Sequence, residues 1–221
     1  ISNGQNAGLV IVVCRTDPAA GRRGMSLICV EEGTPGFTKG RKLEKIGLHA
    51  QDTSELFFQD VRVPIGNLLG EENAGFQQLM HQLPQERLVI AIRSATSMET
   101  MLDQTIAYTK QRQIFGQSVF DFQVHRFKLA QAKAEIGMFR IYLDDCIARH
   151  MRGELSAEDA AAAKLLGTEI QNRLLDDFLQ MHGGYGYMAE YDIGRAWADA
   201  RVGRIYGGSS EVMREIIART L

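Results

Sequence analysis

Glu86 is a carboxylate set among apolar neighbours. In Leu83-Pro84-Gln85-Glu86-Arg87-Leu88-Val89-Ile90 it lies in a helix-like stretch, where partial desolvation would raise its affinity for a proton and suit it to general-base work. A solvated surface glutamate is the competing reading, since charged side chains are mostly exposed. Arg87 is rotated about 100° from Glu86 around a helix, so the two are no natural ion pair. Arg112 offers a planar fork suited to a pyrophosphate, or else a cation that answers a helix C-terminus. Gly183-Gly184 follows a helical pattern rather than a strand. It reads as a helix end, not as a dinucleotide fingerprint. The five histidines and three cysteines have no metal-ligand spacing, so no metal site is expected.

The elements that must position these residues fall into two regions. Residues 1–71 read as β-structure, with apolar β-branched runs at Leu9–Cys14, Met25–Val30 and Leu56–Val63 separated by glycine- and proline-rich turns. From residue 72 onward the period is helical. Leu88, Ala91, Ala95, Met98, Leu102 and Ile106 form one stripe, and Leu129, Ala132, Ile136, Phe139, Leu143 and Cys146 a second. Leu166, Ile170, Leu174, Phe178 and Met181 form a third. Ser156-Ala157-Glu158-Asp159 has capping-box spacing and starts the third helix, and Gly183-Gly184 ends it. Pro84 is expected to kink or start a helix just before Glu86. The fold class is therefore α+β: a small antiparallel β-domain (1–71) followed by a C-terminal four-helix bundle (72–221).

The formal net charge is -2, from 25 basic and 27 acidic residues, which gives no electrostatic reason to expect nucleic acid. No apolar run reaches the roughly 20 residues that span a bilayer, so membrane insertion is not expected. Cys14, Cys29 and Cys146 read as buried reduced thiols, as in a reducing compartment. The sequence opens on Ile1-Ser2-Asn3-Gly4, without an initiator Met or targeting segment, and reads as a piece of a longer chain.

Several segments, taken in order, resemble the acyl-CoA dehydrogenase family. They are Ile1-Ser2-Asn3-Gly4, Gly47–Thr53, Val61-Arg62-Val63-Pro64, Leu69–Phe76, Arg112-Gln113-Ile114-Phe115-Gly116, Gln180–Tyr187 and Arg204–Glu211. Most of the family keeps its catalytic glutamate in a Tyr-Glu-Gly segment near the C-terminus. Here that position is Gly207, which cannot accept a proton. The branch of the long-chain and isovaleryl enzymes instead has its base in a Glu-Arg-Leu segment, which Glu86-Arg87-Leu88 matches. The resemblance covers the whole chain but only the β-domain and bundle of the family, whose N-terminal helical domain falls outside it.

The resemblance implies an FAD-dependent α,β-dehydrogenation of a fatty acyl-CoA, with Glu86 as the base and an electron-transfer flavoprotein as electron acceptor. It implies FAD contacts from Ser2, Arg112, Phe115, Gln123, Gln180, Gly183, Gly184, Ser209 and Glu211, some across a subunit boundary. It also implies substrate contacts from Pro84, Gln85, Arg87 and Gly208. The family often has Thr and Gln where this chain has Ser209 and Glu211, so Glu211 brings an anion toward an anionic ligand. A homotetramer is implied, located in the cytoplasm of a bacterium or the mitochondrial matrix of a eukaryote. Two other readings share the fold: an acyl-CoA oxidase, and a truncated non-catalytic relative serving oligomer assembly. Uptake of FAD separates the last of these from an enzyme.

Overall fold

A computed structural model describes residues 1–221. The chain divides into two compact units, Ile1–Gln82 and Leu83–Leu221.

The first unit is built on short antiparallel strands. β1 (Leu9–Arg15) pairs with β2 (Met25–Glu31) in the register Leu9 opposite Glu31 to Arg15 opposite Met25. Their connection is held by Asp17, whose carboxylate accepts from the backbone N–H groups of Ala19 and Ala20, an Asx-type turn. β3 (Phe37–Lys42) pairs with β4 (Ser54–Phe58), and the Phe37 and Phe58 rings stack at 4.7 Å. β5 (Leu68–Leu69) adds to the free edge of β2. Leu27, Val30 and Phe37 are buried.

Three expectations change here. The run Leu56–Val63 is a strand only to Phe58, because Asp60 takes a positive φ of 50° and turns the chain. β3 was not expected: Phe-Thr-Lys-Gly-Arg-Lys has almost no apolar alternation, and its pairing shifts register between Lys39 and Lys42. Of the thiols, Cys146 is buried whereas Cys14 and Cys29 are only half-buried.

α1 (Gly75–Gln111) runs through Pro84, so the proline does not start the helix; lacking an N–H, it withholds one donor from the ladder. β6 (Gln113–Ile114) and β7 (Gln117–Ser118) form a tight hairpin. Its two central residues, Phe115 and Gly116, have φ of 48° and 80°, as a two-residue turn matched to strand twist requires. α2 (Gln123–Met151) and α3 (Ala157–His182) follow. Ser156 caps α3 by accepting from the Asp159 N–H, and Gly183 at φ 59° ends it, both as the sequence indicates. α4 (Asp192–Ala200) and α5 (Ser210–Ala218) complete the unit.

One core joins α1 to α4. It takes Leu88, Ala95 and Met98 from α1, Leu129, Phe139 and Leu143 from α2, Leu175 and Phe178 from α3, and Ile193 and Ala200 from α4. The first two sequence stripes pack as expected, with Ile106 only half-buried. The third is revised in its N-terminal half. Leu166 is 46% exposed, whereas Lys164, Thr168 and Gln171 are buried. On that face Lys164 donates to the Gly208 carbonyl and Thr168 to carbonyls of its own helix, the partners that buried polar groups need.

Candidate active site

Glu86 lies on α1 and is exposed to solvent, as is Gln85; Pro84 is half-buried. The surroundings that the sequence led one to expect for a desolvated base are therefore not provided by this chain alone. Arg87 is 7% exposed, not the surface arginine that a lone Arg suggests. Its Nε donates to the Gly207 carbonyl at 3.5 Å. Burial pulls its pKa down, against the charge of Glu86. One and a half turns along α1, Arg93 donates to the Tyr206 hydroxyl at 3.1 Å.

Residues 203–214 are held chiefly by α3. Lys164 is fully buried and its Nζ donates to the Gly208 carbonyl at 2.6 Å. Its burial, followed by the nearby Arg87 cation, lowers the ammonium pKa, while Glu169 and Glu211 pull the other way. Glu169 takes the Ser210 hydroxyl at 2.6 Å, Arg204 at 3.0 Å and Arg214 at 3.6 Å. Gly207 and Gly208 both have positive φ, 63° and 99°, in the region that favours glycine. Thus Arg87, Gly207 and Gly208 come together, beside the Glu86 turn of α1. Lys164 was missed in the sequence. The available signal was a lone cation in Ala160–Leu166, an apolar helical run, four residues before Thr168 and seven before Gln171.

A second concavity of about 590 Å³ lies between the end of α1, the start of α2 and the end of α3. It gathers Arg112, Gln180, Gly183 and Gly184 from the candidate list, together with Tyr108, His125, His182 and Tyr185. The Arg112 guanidinium lies over the Tyr185 ring at 5.6 Å. Tyr108 stacks on His182 at 4.2 Å and donates its hydroxyl to the His182 carbonyl at 3.1 Å. Nδ1 of His125 is buried without a partner. A guanidinium fork, a carboxamide, two glycines without side chains and flat aromatic faces fit a nucleotide bearing a pyrophosphate.

The remaining candidates stand apart from this concavity. Phe115 projects from the hairpin tip, 93% exposed. Gln123 is exposed at the first position of α2. Ser209 caps α5, accepting from the Val212 N–H at 3.4 Å. Glu211 in the first turn of α5 is held ionised by backbone N–H and by the Ser209 hydroxyl, which lower its pKa. Ser2 belongs to the first unit, where it bridges to Thr53.

His182 gives a test of this concavity without any ligand. It is buried, and its ring nitrogen Nδ1 contacts the Phe178 carbonyl at 2.8 Å. Burial lowers its pKa below 6.5, only partly offset by that hydrogen bond. The unfolded chain thus binds the proton first on acidification. The contribution to stability is complete above the unfolded value and is lost as pH falls below it. The rings of Tyr108 and Tyr191 pack on it at 4.2 and 6.3 Å, and Arg112, Tyr185 and His125 line the same concavity. His182→Asn should flatten this part of the stability profile from about pH 7 to about pH 5, where one histidine adds at most about 1.4 kcal/mol per pH unit. Urea titrations of both proteins check this; parallel profiles count against it.

An α+β chain with a glycine turn held by Arg87 next to Glu86, and a cationic, glycine-edged concavity in the same helical unit, has clear counterparts. The family model for the middle domain of acyl-CoA dehydrogenases matches residues 1–61, and that for their C-terminal domain matches residues 73–221. The chain belongs to the acyl-CoA dehydrogenase family. It is 49% identical to the mitochondrial long-chain specific acyl-CoA dehydrogenase of Sus scrofa, over 100% of this chain and 52% of that protein. The crystal structure of an acyl-CoA dehydrogenase from Geobacillus kaustophilus superposes with a TM-score of 0.97 at 50% identity, over 99% of this chain and 58% of that one. A structure described as the electron transferring flavoprotein of Acidaminococcus fermentans matches at TM-score 0.95 and 33% identity, covering 99% and 58%. The chain spans about half the length of the curated relatives it matches.

Proposed function

We propose that the full-length protein is an FAD-dependent acyl-CoA dehydrogenase that converts a fatty acyl-CoA to the trans-2-enoyl-CoA. The observation that carries this reading is that α1, the helix that bears Glu86, also holds the side-chain-free Gly207 turn through the next residue, Arg87. Glu86 takes the proton from the α-carbon of the thioester. That proton is weakly acidic, so the carboxylate needs close approach and exclusion of water. As Glu86 is exposed on this chain, the bound acyl-CoA itself must supply part of that cover. Arg87, Pro84, Gln85 and the Gly208 backbone line the substrate side. Arg112, Gln180, Gly183 and Gly184 hold the dinucleotide, with Phe115, Gln123, Ser209, Glu211 and Ser2 as further contacts. Bound FAD supplies the acceptor for the hydride that leaves the β-carbon.

The same proposal includes a β-domain over 1–71, a bundle over 72–221 and a homotetramer. The exposed Phe115 and the exposed apolar residues Val124, Phe127, Met138 and Ile141 along α2 support an assembly, since such surface is costly in water. An electron-transfer flavoprotein is the proposed electron acceptor. The compartment is the mitochondrial matrix or a bacterial cytoplasm. Full-length protein mixed with FAD should turn yellow, and the flavin band should bleach when an acyl-CoA is added without oxygen. A preparation that takes up no FAD overturns the reading.

A further inference from the structure

Position 207 is empty of side chain, but its space is not empty. A Cβ built on Gly207 would lie 2.5 Å from Cδ1 of Ile90, the one atom it meets within 4 Å. Real Cβ atoms do not approach so closely, so a side chain at 207 needs the tip of the Ile90 side chain to turn aside first. Ile90 lies four residues after Glu86, on the same helical face. The turn has little freedom to withdraw. Arg87 grips the Gly207 carbonyl, Arg93 the Tyr206 hydroxyl and Lys164 the Gly208 carbonyl.

We propose that Ile90 confines the catalytic carboxylate to position 86, because its side chain fills the space that a carboxylate at position 207 would occupy. The inference rests on the reading of Glu86 as the base. It makes the site of the base a consequence of packing: the tip of Ile90 stands where a side chain at position 207 would begin. The leftward φ of Gly207 is a separate obstacle to any side chain. It is present whether or not Ile90 is changed, and so cancels in a comparison of the two backgrounds.

The test uses the full-length, FAD-loaded protein in two measurements. In the first, flavin bleaching by an acyl-CoA is timed without oxygen in Glu86→Gln, in Glu86→Gln with Gly207→Glu, and in both with Ile90→Ala added. The triple variant should bleach at least about 10-fold faster than the double, a modest share of what a placed general base gives. In the second, thermal midpoints of the same FAD-loaded protein are taken for Gly207→Ala, Ile90→Ala and the pair. Side chains that compete for one volume give non-additive changes, so Gly207→Ala should lower the midpoint less once Ile90 is shortened. Equal bleaching by double and triple variants, or additive midpoints, overturns the proposal while leaving Glu86 as the base. Parent-like bleaching by Glu86→Gln alone defeats the base assignment and, with it, this proposal.

Discussion

Glu86→Gln in the full-length protein should still bind FAD and acyl-CoA, yet bleach its flavin on the order of 10²-fold or more slowly, as befits loss of a general base. The substitution keeps the shape and removes only the proton acceptor. Glu86 makes no hydrogen bond or ion pair that the helix relies on, and it is exposed, so the fold should not suffer. No other carboxylate stands ready to replace it. The Gly207–Gly208 turn offers none, Glu169 is committed to Arg204, Arg214 and Ser210, and Glu211 lies beyond the turn on α5. Stopped-flow absorbance with unchanged FAD content is the measurement. Parent-like bleaching would remove Glu86 from the mechanism.

Arg112→Ala should weaken FAD retention by roughly 10- to 100-fold, the worth of one charge-assisted hydrogen-bonding group. The Arg112 guanidinium lies over the Tyr185 ring at 5.6 Å, which limits the orientations it must give up on binding. Arg112→Lys should recover only part of the loss, because an ammonium keeps the charge but not the planar fork. If FAD bridges subunits, as proposed, the oligomer should loosen along with it, since a shared ligand stabilises an assembly by mass action. Flavin fluorescence after dilution, with light scattering on the same samples, reads both effects. An unaltered FAD dissociation constant would take Arg112 out of the dinucleotide site.

Much of this was legible in the sequence because the signals were periodic. Buried Leu88, Ala95 and Met98, or Leu129, Phe139 and Leu143, recur at helical spacing, and such stripes have one economical burial. Ser156 and Gly183 were legible for a local reason, since caps and left-handed residues are chosen by backbone geometry. Where polarity and burial part company the sequence was less informative. β3 carries Lys39, Arg41 and Lys42 on a strand with little apolar pattern. Lys164 and Arg87 are buried cations, and the carbonyls that justify their burial come from a segment distant in the chain. The candidate site was legible through Glu86 and the vacancy at Gly207. The filling of that vacancy by Ile90 is a contact between positions more than a hundred residues apart, which no local pattern encodes.

Lys164, Thr168 and Glu169 stand on α3 as fixed points for the segment from Gly203 to Arg214. Their spacing works like the teeth of a gear. Removing or inserting a single residue in the first half of α3 would turn every residue upstream of the change by about 100° relative to those downstream. An indel between Lys164 and Thr168 would therefore leave the Gly208 carbonyl and the Glu169 ion pairs unable to be satisfied together. The length of this helix is thus constrained more tightly than its composition: side chains on its outer face, such as the exposed Leu166, are free to drift, whereas its residue count is not.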